Sequence, residues 1–164
     1  MPVLFKRSEL RGLHFKDARI ELVLAESGTH DDECGIRDGY LFDIYTLDSR
    51  EHAGYVSLRI GESPALYYLG HIGYRVFERH RGNGYAARAV RLMMPLLRKR
   101  NLRSVVITTN PDNAPSRATC EKLGCTLENT VQVPLRFRGL CLGAAEKCRY
   151  ILLTEEDAQE AASA

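Results

Sequence analysis

The sequence predicts an α+β fold, one domain in which a mixed, mostly antiparallel sheet is flanked by helices. Three observations carry this. The first half alternates apolar and polar residues at the period of strands, and the second half alternates helix-period with strand-period segments. Composition is that of an ordinary globular chain, 45% hydrophobic and 27% charged. The 164 residues match one domain at roughly 100–200 residues each, so 1–164 is read as a single unit with a polar tail from 153.

Residues 20–24 (Ile-Glu-Leu-Val-Leu) and 41–47 (Leu-Phe-Asp-Ile-Tyr-Thr-Leu) alternate as half-buried strands, and 53–60 follow after the polar turn Asp48-Ser49-Arg50-Glu51. Gly61-Glu62-Ser63-Pro64 ends that run. Residues 67–76 are predicted as a further strand, with Gly70 and Gly73 marking a bulge or a close backbone approach. Asn83 is predicted to cap a helix over 84–100, in which Ala87, Val90, Met93, Met94 and Leu97 form an apolar stripe and Pro95 a kink. Residues 104–109 read as a buried strand. Asn113-Ala114-Pro115-Ser116 opens a short helix closed by Gly124. Residues 125–133 and 147–153 are closing strands around a loop over 134–145. Thr154-Glu155-Glu156-Asp157 either caps a last helix or begins a disordered tail.

Several classes are excluded. No apolar run approaches the ~20 residues of a membrane span, and the N-terminus lacks the apolar core of a secretion signal. The five cysteines, Cys34, Cys120, Cys125, Cys141 and Cys148, contain no C-x-x-C pair. Neither a metal site nor a disulfide framework is expected, and a reducing, cytoplasmic setting is. The formal charge is only +2, but it is unevenly placed. Residues 26–51 hold eight acids and two bases, and residues 75–103 nine bases and one acid. The basic side suits a polyanionic partner, or is a solvated face. Nucleic acid is a poor candidate, because interleaved aromatics are missing and the net charge is low.

The most informative stretch is Val76-Phe77-Glu78-Arg79-His80-Arg81-Gly82-Asn83-Gly84-Tyr85-Ala86. Small residues let a ligand approach the backbone where a helix begins, and the free N–H groups of a first turn attract anions. Arg79, Arg81 and Arg88 add charge suited to phosphate. A purely structural turn is the competing reading. The Lys-Ser/Thr of a P-loop is missing after Gly84, and so is the third glycine of a dinucleotide fingerprint.

Arg81-x-x-Gly84-x-Ala86 resembles the pyrophosphate signature of the GCN5-related N-acetyltransferases. The block from Asn110 through Asn113, Ser116 and Cys120 to Gly124 is similar to that family's later strand–helix segment, and Gly70-His71-Ile72-Gly73-Tyr74-Arg75-Val76 to its central strand. The resemblance covers about residues 40–153. It is weak over the first 40, where the family usually inserts two helices and residues 26–40 leave room for little more than a turn. The likeness is strongest to small ribosomal-protein-type and uncharacterised bacterial members.

The resemblance implies a GNAT-like sheet splayed at an acetyl-CoA site, with no metal, and direct attack by an amine on the thioester. Tyr74, Arg75 and Val76 would pair with pantetheine. Arg81, Gly82, Asn83, Gly84, Tyr85, Ala86 and Ala87 would hold the pyrophosphate. Asn113 and Ser116 would orient the arm, with Asn113 also reading as a helix cap. His71 is the candidate base, its ordinary pKa near 6.5 suiting that task, and Glu78 a weaker one. The family often has a tyrosine where this chain has Cys120, so Cys120 is either the acid or a core residue, with Tyr74 or Tyr85 as substitutes. The expected acceptor is a primary amine of a small molecule or peptide. A cationic one such as a polyamine, an aminoglycoside or a protein N-terminus would be drawn by the acidic segment. The enzyme would be a monomer or homodimer without nucleic-acid or membrane partners. The alternative is a catalytically silent CoA-binding module.

Overall fold

The computed structural model describes residues 8–155. One seven-stranded sheet is built from β1 (Ile20–Ser27), β2 (Ile36–Thr46), β3 (His52–Gly61), β4 (Ile72–Val76), β5 (Ser104–Thr109), β6 (Thr126–Gln132) and β7 (Glu146–Leu153), in the order β1-β2-β3-β4-β5-β7-β6. Every neighbouring pair is antiparallel except β4 with β5. Alternation does its expected work in the first three strands. Tyr40, Phe42 and Ile44 of β2 and Val56 and Leu58 of β3 are all buried, while the residues between them are partly exposed. Residues 28–35 join β1 to β2 without a helix. Most of the predicted tail, 156–164, lies outside the described residues; Thr154 is buried and bonded to Leu102 and Arg103. Among the described residues no helix is long and apolar enough to cross a membrane.

The predicted strand over 67–76 divides. Its first part belongs to helix α1 (Pro64–Leu69), and only Ile72–Val76 is strand. Ser63, read from sequence as part of a terminator, is the N-cap: its hydroxyl accepts from the Leu66 amide at 3.0 Å, and Pro64 supplies the fixed first turn. Gly70, at φ +81°, ends the helix. Gly73 is not a bulge, because the β3–β4 register is unbroken across it. It permits a close approach instead. A Cβ there would lie 2.7 Å from Nη2 of Arg59.

Helix α2 (Tyr85–Lys99) lies against β1, β3 and β4 and meets α3 (Ala114–Lys122). Its stripe is real: Ala87, Val90, Met93, Met94, Leu96 and Leu97 are almost wholly buried. Each large side chain there contributes about 1.5–3 kcal/mol of burial. The helix continues to Lys99 through Pro95, whose missing N–H leaves the Arg91 carbonyl without its intrahelical donor. Its cap is Gly84 at φ +72°, not Asn83, whose amide donates backward to the His80 carbonyl at 2.9 Å. Asn113 does cap α3, accepting from Ser116 N at 3.2 Å. That helix closes as predicted at Gly124. Gly124 N–H bonds the Glu121 carbonyl and Cys125 N–H the Cys120 carbonyl, a Schellman pair around a positive-φ glycine.

Asp17 fastens the entry to β1 onto α2. One carboxylate oxygen accepts from the amides of Arg19 and Ile20, and the other accepts from Arg88 Nη1 at 2.9 Å. Burial opposes its ionisation, but the amide bonds and Arg88 outweigh it and hold the pKa below the ordinary 3.8. A depressed carboxylate stabilises the fold above its unfolded pKa, and that stability is lost as pH falls through the folded value. Asp17→Ala is therefore expected to lower stability by about 1 kcal/mol at pH 7, a Tm loss of about 2–4 °C after allowance for partial exposure. Thermal melts at pH 7 and pH 3 check this, and the gap to the parent should narrow at pH 3.

Candidate active site

The site begins where the sheet comes apart. β4 and β5 share a single ladder position, Ile72 with Ile107. Just before it, the His71 amide donates to the Val106 carbonyl at 2.8 Å, while the Val106 amide donates to His71 Nδ1 at 3.0 Å, a side chain standing in for a strand carbonyl. Beyond Ile107 the strands diverge. Gly73, Tyr74, Arg75 and Val76 keep their pairing with β3 and have no ladder partner on β5. An open strand edge can take up the amides of an extended ligand.

A cavity of about 490 Å³ lies at this edge. The structure brings to it Tyr74, Arg75, Val76, Arg81, Gly82, Gly84, Tyr85, Ala86, Asn113 and Ser116 of the predicted cofactor residues. It leaves two elsewhere: Asn83 faces a neighbouring basic groove, and Ala87 is packed in the core. The amides of Tyr85, Ala86 and Ala87 have no intrahelical acceptor, as in any first turn, and the positive end of the α2 dipole lies here. The expected arginines are mostly engaged. Arg79 pairs with Glu51, Arg88 with Asp17, and Arg81 Nε donates to the Val76 carbonyl. Sequence reading missed Lys122, whose ammonium lies 3.3 Å from where a Cβ on Gly84 would be. Its position follows only from α2 meeting α3.

A second cavity, of about 450 Å³, runs beyond the first along the closed end of the splay, lined by Ile72 and Ile107, and shares Tyr74, Asn113 and Ser116 with it. These residues form the wall between the two spaces. The Tyr74 hydroxyl lies 2.9 Å from Ser116 Oγ, 3.3 Å from the Ser116 carbonyl and 3.8 Å from Cys120 Sγ. Burial, reinforced by Cys120, pushes the Tyr74 pKa well above its ordinary 10, so the phenol stays protonated at neutral pH. Cys120 is fully buried and lines neither cavity. Hydrogen bonds from Cys125 and, after it, Tyr74 draw its pKa down against burial. His71 also lines neither cavity. With Nδ1 accepting from Val106, its remaining nitrogen lies 3.2 Å from Glu62. Glu78 is exposed and lines neither cavity, and Tyr85 lines the first. All five cysteines are free. Among the described residues no group of three His, Cys, Asp or Glu is placed to hold a metal.

The acids of residues 26–51 do not face this site. Asp38 pairs with Arg100, Asp43 with His52, Glu51 with Arg79 and His80, and Asp32 with His30. None of the acids in that segment lines either cavity.

Comparison with known proteins gives the same architecture. The chain is similar in fold to a ribosomal-protein-S5-alanine acetyltransferase from Vibrio fischeri, with 21% identity and a TM-score of 0.57 over 72% of this chain and 63% of that one. The microcin C7 self-immunity acetyltransferase MccE, solved with acetyl-CoA and AMP, matches at 22% identity and a TM-score of 0.55 over 70% and 61%. RimJ of Mycobacterium smegmatis, solved with CoA-disulfide, matches at 22% and 0.57 over 76% and 57%. The match thus spans less than two thirds of the length of each of these neighbours. A comparison with curated proteins finds no match. The family model for the acetyltransferase (GNAT) domain matches residues 16–126. With well over half of its length under that model, this chain belongs to the GNAT acetyltransferase family.

Proposed function

We propose that this protein transfers an acetyl group from acetyl-CoA to a primary amine of a small molecule or peptide. The observation that carries this reading is the wall of Tyr74, Asn113 and Ser116, reached from one side by a cavity ending on a helix N-terminus and from the other by a second cavity. The residues fit the cosubstrate. The first-turn amides of α2, with Lys122 beside them, suit a pyrophosphate, and the open edge of β4 suits the amides of pantetheine. A thioester at the wall is then open to an amine from the second cavity.

In this mechanism the amine nitrogen forms a bond to the thioester carbonyl carbon and the C–S bond breaks. Tyr74 gives its proton to the departing sulfur, and water in the cleft removes the proton released by the amine. Tyr74 reaches from β4 to the side of α3 that carries Cys120, so it supplies a hydroxyl close to the position where the family often has tyrosine. His71 acts here by fixing β4 to β5 at the closed end of the splay, which sets the open edge.

A melt in millimolar acetyl-CoA, with NADH and ATP as controls, tests the reading. At 100 times its Kd a ligand adds about 2.7 kcal/mol, a Tm rise of about 5–11 °C for a chain of this size. A melt that acetyl-CoA does not move overturns the assignment. Stabilisation without thiol release on any amine would favour the silent CoA-binding module.

A further inference from the structure

The second cavity has a charge its neighbours do not explain. Arg59 reaches it from β3 and Lys147 from β7, strands that are not adjacent in the sheet. Arg59 donates through Nη1 to the Gly70 carbonyl at 3.1 Å and the Leu69 carbonyl at 3.5 Å. Its Nη2 lies over Gly73, the residue before Tyr74, in space that any side chain at 73 would take. Among the described residues neither Arg59 nor Lys147 has an ion-pair partner, and no Asp or Glu lines the cavity. Arg79 and Arg88 beside the first cavity pair with carboxylates, whereas Arg59 meets only carbonyl oxygens. Two cations without a carboxylate partner, sharing a partly buried space, repel one another, and burial and Arg59 both weigh against the charge on Lys147. Such a pair is costly unless an anion joins it. A further polar group lies in the same lining: Asn110 Oδ1 is buried and has no hydrogen-bond donor.

We propose that the acceptor is an anionic amine, in which a carboxylate or phosphate a few bonds from the amino group is held by Arg59 and Lys147. This rests on the acetyltransferase reading and gives it a substrate class. A guanidinium fork and an ammonium together match the oxygens of either anion. Asn110 Oδ1 receives an N–H of the acceptor, and the amino group faces the Tyr74–Ser116 wall. A space of about 450 Å³ suits a small amino compound or the first one or two residues of a peptide. A polyamine or aminoglycoside would bring cations to cations. None of the acids of the segment that favoured such acceptors in the sequence lines this cavity, and Asp32, Asp38, Asp43 and Glu51 are in ion pairs elsewhere.

Acceptor pairs matched except for charge test this. Phosphoethanolamine is compared with ethanolamine, and the peptide amide Asp-Ala-Ala with Lys-Ala-Ala, with spermidine as a polycation. The anionic member of at least one pair should show a kcat/KM about 10- to 100-fold higher, and the responding pair separates a free phosphorylated amine from an acidic peptide N-terminus. Lys147→Met and Arg59→Gln should each bring that ratio toward one while the acetyl-CoA melting shift is retained. Lys147→Met is the safer variant, since Lys147 holds no backbone carbonyl. Cationic or neutral members used as well as anionic ones, or a ratio unchanged in both variants, overturns the proposal and leaves acetyl transfer standing. Calorimetric titration of the same anionic amines does not depend on turnover. Binding that weakens about 10-fold or more in Lys147→Met supports the site, and no binding to the parent overturns it. A parent whose melt ignores acetyl-CoA marks failure of the underlying reading instead.

Discussion

Tyr74→Phe is expected to lower turnover by about 10²–10⁴-fold while acetyl-CoA binding stays close to that of the parent. The substitution removes one oxygen and leaves the ring that lines both cavities. The lost bond to Ser116 costs only about 1 kcal/mol, so the fold survives. Steady-state rates and the melting shift read the two effects separately. Unchanged turnover would mean that solvent protonates the departing sulfur. The pH dependence has a definite sign. Burial raises the Tyr74 pKa, so the active, protonated phenol persists through pH 10 and its loss cannot limit activity at neutral pH. The same shift makes Tyr74 stabilising below its unfolded pKa of 10, and that contribution disappears as pH rises beyond it. Cys120→Ala is the contrasting control. Its thiol is fully buried, so a lower Tm with turnover largely kept is the expected outcome.

The other large effect belongs to the glycine turn, and it needs two variants. Gly84→Val should abolish the acetyl-CoA melting shift, but it should also lower the Tm of the free protein. At φ +72° a β-branched residue is strained by about 1–3 kcal/mol whatever space surrounds it. Ala86→Glu separates the two. Ala86 has no positive φ, so the backbone strain of Gly84→Val is absent, and because it is only 9% exposed and lines the first cavity, a longer side chain there must enter that cavity. The introduced carboxylate occupies the anion site and repels a pyrophosphate. Affinity for acetyl-CoA should fall at least about 100-fold, as read by calorimetry on the folded variant. If Ala86→Glu binds as the parent does, the phosphates lie elsewhere.

What the sequence made legible is what short-range physics dictates. Strand alternation in β2 and β3, the stripe of α2 and the Asn113 cap with its Gly124 stop are decided within a few residues. So is the absence of helices between β1 and β2, since eight connecting residues leave no room. The failures have equally local causes. Ser63-Pro64 carries both a stop signal for β3 and a start signal for α1, and the two are indistinguishable in a run that ends one element and begins the next. At Asn83 a capping residue lies one position too early, and a glycine able to adopt positive φ takes the role. Charge misled for a different reason. The acidic and basic segments look like two functional faces along the chain, yet Asp38 pairs with Arg100 and Glu51 with Arg79, so at these points the two segments meet in space. The two cations of the second cavity, Arg59 and Lys147, lie outside both segments and 88 positions apart, 147 less 59, and no local pattern links them.

The helix that presents the anion site is also a main support of the hydrophobic core. Val90, Met93, Leu96 and Leu97, about one and a half to three and a half turns beyond the glycine cap, are wholly sequestered. The donors at its start are therefore already oriented before any ligand arrives, and binding need not order them. Little conformational entropy is spent at that end of the site, so affinity there reflects the donors themselves. The reverse also holds: deep substitutions along α2, far from any ligand, will be felt as weaker recognition of phosphate, because loosening the rod disorders its tip.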